Sequence, residues 1–200
     1  VLFRSLGMES FATFLEFKGR YKEGEALFLG LLKHIKAQNE EESQPKLKMH
    51  ALAWLSVFEF ARGKNEQAER SLSTANDMIG LIGDDENTQR ERAFILALCG
   101  NLEMTRDPAE ARPFFTQALE LYEALEMGWE QAALMTSLGS ANRMVRDFDK
   151  ASYWFSNSLD IRQKIGDQIG AAETLAIMSE LARHRGQFYE AVLLGQNEIG

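Results

Sequence analysis

Apolar residues recur three and four positions apart along most of the chain, with charged residues between them, as in Ala132-Ala133-Leu134-Met135 through Leu138 and in Ala171 through Leu181. That spacing gathers the apolar side chains on one face of a 3.6-residue turn and predicts amphipathic helices. Breaks fall at Gly19, Gly63, Gly83-Asp84-Asp85, Asp107-Pro108, Gly128, Gly166-Asp167 and Gly186. They leave helical blocks of roughly 14 to 20 residues joined by very short turns. Helices connected so tightly fold back on one another, so the pattern predicts an all-α run of antiparallel hairpins. Composition agrees: three prolines and four valines stand against abundant Leu, Ala and Glu, the best helix formers, and leave little material for strands.

One pattern recurs five times. It consists of a turn, an aromatic residue or a substitute, two polar residues, a small residue, three more residues and a bulky apolar one. The copies are Gly19-Arg20-Tyr21-Lys22-Glu23-Gly24 with Phe28, Gly63-Lys64-Asn65-Glu66-Gln67-Ala68 with Leu72, and Arg106-Asp107-Pro108-Ala109-Glu110-Ala111 with Phe115. Arg146-Asp147-Phe148-Asp149-Lys150-Ala151 with Phe155 and Gly186-Gln187-Phe188-Tyr189-Glu190-Ala191 complete the set. The small anchors at 24, 68, 111, 151 and 191 are spaced by 44, 43, 40 and 40 residues. Twelve residues before each anchor stands another small residue, Ala12, Ser56, Cys99, Gly139 or Ser179, and just before it a large apolar one, Phe11, Leu55, Leu98, Leu138 or Met178. Two helices reach the short end of the ~8–10 Å range of interaxial distances only where facing positions are small. The paired small residues therefore mark the expected crossing point of each hairpin. A lone hairpin leaves its apolar face uncovered, so successive hairpins are expected to stack into an α-solenoid. The repeats are expected at about 5–45, 46–87, 88–128, 129–167 and 168–200, with residues 1–4 as a leader or the end of a preceding repeat.

These residues resemble the tetratricopeptide repeat family, whose signature pairs Leu-Gly in the first helix with Ala-x-x-x-Phe in the second. Leu138-Gly139 with Ala151 and Phe155 matches it literally, and Ala111 with Phe115 matches its second half. The resemblance spans nearly the whole chain and implies a right-handed superhelix of about five hairpins. The period departs from the family's 34 residues, and the proline expected to end the second helix is missing; Lys36, Gly80, Glu123 and Gln163 stand near its place. The longer repeat is similar to those of bacterial regulators related to the maltose activator and of other signal-transduction ATPases with a helical sensor arm. HEAT and armadillo repeats share a period near 40 but give no reason for the small anchor pair beside the turn.

In this family the first helix of each hairpin lines the concave face. Counting back 15, 11, 8 and 7 residues from each anchor places Glu9, Thr13, Glu16 and Phe17, then Ala53, Val57, Phe60 and Ala61, on that face. Leu96, Gly100, Glu103 and Met104 follow, then Thr136, Ser140, Arg143 and Met144, and finally Ala176, Glu180, Arg183 and His184. The candidate groove contacts are Glu16, Val57, Phe60, Glu103, Met104, Arg143, Met144 and Arg183. The expected function is a protein-interaction scaffold that holds an extended or helical peptide on the apolar middle and meets an acidic group with Arg143 and Arg183. Packing between adjacent first helices is the competing reading of Phe60, Met104 and Met144. The carboxylate clamp of some family members is not matched, because its positions hold Glu9 with Thr13, Ala53 with Val57 and Leu96 with Gly100. The alternative function is a ligand-sensing arm of a signal-transduction ATPase or transcription activator.

The chain carries 22 basic and 30 acidic residues, a net charge of −8, which argues against direct nucleic-acid binding. Apolar runs stay well short of the ~18 residues of a membrane span, so a cytoplasmic chain is expected. One cysteine permits no internal disulfide. Cys99 is expected as a buried packing residue at the crossing position rather than a nucleophile. His34, His50 and His184 lie in different hairpins and are expected on solvated helix faces rather than around zinc. Asp84-Asp85-Glu86 lacks the alternating ligands and central glycine of a calcium loop and is expected to start a helix, and Glu40-Glu41-Glu42 reads as a solvated linker. No phosphate loop or nucleophile elbow occurs, so neither enzymatic activity nor a cofactor is expected. The opening valine and the glycine after a final apolar run make a fragment of a longer protein the expectation. Val192, Leu193, Leu194 and Ile199 should then be partly uncovered and open to self-association.

Overall fold

The computed structural model describes residues 2–37, 44–80 and 85–187. Among them every regular element is an α-helix: α1 (Leu2–Phe17), α2 (Tyr21–Ala37), α3 (Pro45–Ala61), α4 (Asn65–Ile79), α5 (Glu86–Glu103), α6 (Pro108–Ala124), α7 (Gly128–Met144), α8 (Phe148–Ile165) and α9 (Gln168–His184). The acids at 40–42, Asp84 and the fifth copy of the repeat from Phe188 onward lie outside the described residues. The chain divides into two compact units, 1–98 and 99–200, and the division falls within α5.

The helices stop for a shared reason. After α1, α3, α7 and α9 one residue turns to positive φ: Gly19 (65°), Gly63 (73°), Arg146 (62°) and Gly186 (75°). The next amide then donates to a carbonyl five residues back, as in Arg20 N–H to Leu15 O (2.8 Å), Lys64 to Glu59 (2.9 Å), Asp147 to Asn142 (2.9 Å) and Gln187 to Ala182 (2.9 Å). This paired closure satisfies two of the carbonyls a helix end leaves open. The new helix starts on a side-chain cap where the sequence supplies an aspartate: Asp107 Oδ1 accepts from Ala109 N–H at 2.8 Å, and Asp167 Oδ1 from Gly170 N–H at 2.9 Å.

In the first unit α1 packs on α2 and α3, α2 on α3, and α3 on α4. Its core joins Ala12, Leu15, Phe28, Trp54, Leu55 and Phe58. Phe58 stacks on Phe28 at 5.7 Å between centroids and lies over Gly24, which explains the absent side chain at that anchor. In the second unit α6 packs on α7, α7 on α8 and α8 on α9. The anchors Gly24, Ala68, Ala111 and Ala151 are buried, and so are Phe28, Leu72, Phe115 and Phe155 four residues on.

Three of the five expected crossing positions hold, one shifts by a residue, and Ser179 is half-buried, its anchor Ala191 lying outside the described residues. Ala12, Ser56 and Gly139 are buried as the spacing requires. A Cβ on Gly139 would lie 2.5 Å from Cε1 of Phe155, so only glycine admits the ring. In the third hairpin that place belongs to Gly100, where a Cβ would lie 2.5 Å from Cε1 of Phe115, and the expected residue, Cys99, is only half-buried. The turn explains the shift by one. Pro108 excludes helical backbone from the residue before it, and Asp107 is extended at φ −139° and ψ 101°. Asp107 N–H therefore returns four residues, to Glu103 O at 2.8 Å, where the other turns return five. Phe11, the large apolar residue beside Ala12, is not buried: it is 48% exposed and stacks on Phe14 at 6.3 Å.

Candidate binding site

The last turn of each odd-numbered helix presents a pair of accessible side chains. They are Glu16 and Phe17 on α1, Phe60 and Ala61 on α3, Glu103 at the end of α5 with Met104 just beyond it, Arg143 and Met144 on α7, and Arg183 and His184 on α9. Phe17 is 82% exposed and Met144 54% exposed. The capped turn that follows each pair holds the backbone there at a fixed angle, so the pairs are set by the hairpin geometry rather than by a loop. Upstream of the pairs exposure is uneven: Thr13 and Ala176 are exposed, and Val57, Thr136 and Ser140 are half-buried. Ala53 and Leu96, both expected on the concave face, are buried, and Gly100 is consumed by the contact with Phe115. Helix α3 is covered on most of its circumference, leaving only Leu52, Val57, Phe60 and Ala61 accessible toward its C-terminal half; Val57 itself lies half-buried against the first unit's core.

Of the expected contacts, the structure brings Arg143 and Met144 together around an open recess of about 360 Å³ and adds three residues, Arg146, Phe148 and His184. Arg143 Nη1 stands 3.6 Å from Glu180 Oε1, and His184 Nε2 stands 3.6 Å from the same oxygen, both beyond hydrogen-bond range. Arg143 Nε is buried and has no partner. Arg183 is exposed and does not line the recess. Position counting along helices could not find Arg146, because it sits in the turn. A second open recess, about 450 Å³, runs along α6 between Ala109, Arg112, Pro113, Thr116 and Gln117. Its arginine is engaged, donating from Nη1 to Asn142 Oδ1 at 3.3 Å and from Nε to Ala109 O at 3.2 Å.

Other charged groups serve the architecture. Glu25 is 5% exposed and is held by Arg62 and by Lys64 at 2.5 Å. Burial pushes its carboxyl up, but the hydrogen bonds and charges of Lys64 and Arg62 together outweigh that and hold it below the usual carboxylate range. Asp85 starts α5 as expected, accepting from Thr88 N–H at 2.8 Å, and also takes Lys46 at 2.7 Å. The Lys46 and Thr88 hydrogen bonds pull its carboxyl down to about 2. Burial pushes the Cys99 thiol up to about 11, which makes it a poor nucleophile. His34 and His184 are exposed, but His50 is not: it is buried with Nδ1 2.7 Å from Glu91 Oε2. Among the described residues no three His, Cys, Asp or Glu side chains gather where a metal could bind, and no helix is long and apolar enough to cross a membrane.

No protein-family model matches the sequence, and no curated protein matches it. The fold matches that of a solved structure, the crystal structure of BtubC (BKLC) from P. vanneervenii. The TM-score is 0.79 at 18% identity, over 96% of this chain and 76% of that one.

Proposed function

We propose that the hairpins form a solenoid of the tetratricopeptide type and that the chain is a protein-interaction scaffold. Within each unit, partner segments bind on the accessible ends of the odd-numbered helices. The observation that carries this reading is the recurrence of an accessible pair at one register position at the ends of α1, α3, α5, α7 and α9, while the crossing positions four residues earlier in three of these helices are buried. A fold needs the buried positions and gains nothing from leaving Phe17, Phe60, Met104 and Met144 within reach of solvent. Aromatic and Met side chains beside Arg are the composition that contact surfaces favour. A partner peptide fits the open recesses better than a small ligand does, since ligand sites enclose most of the molecule they bind.

Selection of a random peptide library on the purified chain tests this. Binders are expected whose affinity falls at least tenfold in a Phe60→Ala/Met144→Ala double variant and is kept by Tyr153→Ala, which removes an exposed aromatic from α8. A library that yields no binder, or binders sensitive to Tyr153 alone, overturns the reading.

A further inference from the structure

We infer that the recess at the ends of α7 and α9 recognises an acidic peptide segment, in which a carboxylate side chain stands beside an apolar one. The inference rests on the scaffold reading and specifies the partner's chemistry. Three observations carry it.

The first is charge. Arg143, Arg146 and His184 line the recess, and Glu180 stands against them at 3.6 Å from both Arg143 and His184. The nearby acids are committed elsewhere, Asp147 to Lys150 at 3.0 Å and Asp149 to Arg185 at 2.9 Å. The recess is thus locally cationic in a chain whose net charge is −8. The second is unspent hydrogen-bonding capacity. Arg143 Nε is buried without a partner, although a guanidinium offers five N–H donors, and a carboxylate can take two of them side by side. Apolar Met144 and Phe148 form the adjoining wall, which suits a methylene or aliphatic neighbour of the carboxylate and disfavours a bare inorganic anion.

The third is backbone conformation. Arg146 holds φ +62° at the place where Gly19, Gly63 and Gly186 close the corresponding turns. A left-handed residue with a side chain costs roughly 1 kcal/mol against glycine. Glycine would therefore stabilise this turn, and the side chain that replaces it lines the recess. Strain of this kind, retained where a charged group faces open space, is consistent with selection for what the side chain contacts. Glu126, at φ 54°, supplies the control, since it is also left-handed but does not line the recess.

The experiment compares peptides selected from a random library by the wild-type chain with their binding to Arg146→Gly, Arg143→Gln and Glu126→Gly variants. Expected binders are enriched in Asp or Glu next to an apolar residue. They lose at least tenfold in affinity with Arg146→Gly and Arg143→Gln, keep it with Glu126→Gly, and weaken as salt is raised. Replacing the acidic residue by its amide is expected to cost a similar factor. Both glycine variants are expected to melt above the wild type, which separates lost contact from lost fold. Binders without acidic enrichment, or with less than a twofold response to both arginine variants, overturn this inference and leave the scaffold reading standing. A library that yields no binder overturns both.

Discussion

The same chemical change, glycine to alanine, is expected to act in opposite directions at three helical positions. At Gly139 a new Cβ would sit 2.5, 2.6 and 2.9 Å from ring carbons of Phe155, whose side chain is fully buried. Carbon atoms rest about 3.5–4.0 Å apart, so the ring must retreat by about 1 Å into packed surroundings. Overpacking of that size costs about 1–3 kcal/mol, against which alanine returns about 1 kcal/mol of helix propensity. Because the ring is enclosed, the upper part of the range applies, and Gly139→Ala is expected to lose about 1–2 kcal/mol net. Gly100→Ala meets Phe115 at 2.5, 2.6 and 3.0 Å and should behave alike. Gly30 lies within α2 with nothing inside 4 Å of the added carbon, so Gly30→Ala keeps the propensity gain of about 1 kcal/mol. For a chain of this length that is a shift of about 2–4 °C per kcal/mol, readable from helical circular dichroism on heating. Should Gly100→Ala or Gly139→Ala melt as high as Gly30→Ala, the close crossing of the helices at those residues is wrong.

Further outcomes follow from the buried charges and the thiol. Asp167 both caps α9 and pairs with Arg162 Nη1 at 2.6 Å, so Asp167→Ala is expected to cost about 2–4 kcal/mol by urea denaturation. Asp167→Asn, which keeps the capping oxygen, should cost less. The folded Cys99 thiol ionises near 11 rather than at its ordinary 9.0, so the unfolded chain releases its proton first as pH rises. Its contribution to stability is fully present below pH 9 and is lost between about 9 and 11. Iodoacetamide should accordingly label native Cys99 slowly at pH 8, and a rate equal to that of the urea-unfolded chain would contradict the assigned burial.

The repeat was legible because close helix crossing demands small residues at fixed distances from a turn, and that demand leaves a spacing in the sequence. The anchors Ala68, Ala111 and Ala151 and the rings of Phe115 and Phe155 were found that way. Counting failed where the turn changed. Cys99 and Gly100 are both small, and only the extended Asp107 ahead of Pro108 selects Gly100. Position counting also treats each helix as having one exposed face. Ala53 is buried because α1, α2 and α4 all pack on its helix, and Leu96 is buried as well. Arg146 was hidden for a further reason, since Arg106 occupies the same place in the third copy without a left-handed backbone. The residue type there carries no signal, and the conformation does.

Small-angle X-ray scattering on the chain bears most directly on the proposed solenoid, in which each hairpin stacks only on its neighbours. A compact 200-residue domain has a radius of gyration of about 16–17 Å. The solenoid predicts a value several ångströms larger, with a distance distribution that trails to long separations. A compact radius with a symmetric distribution would contradict the solenoid.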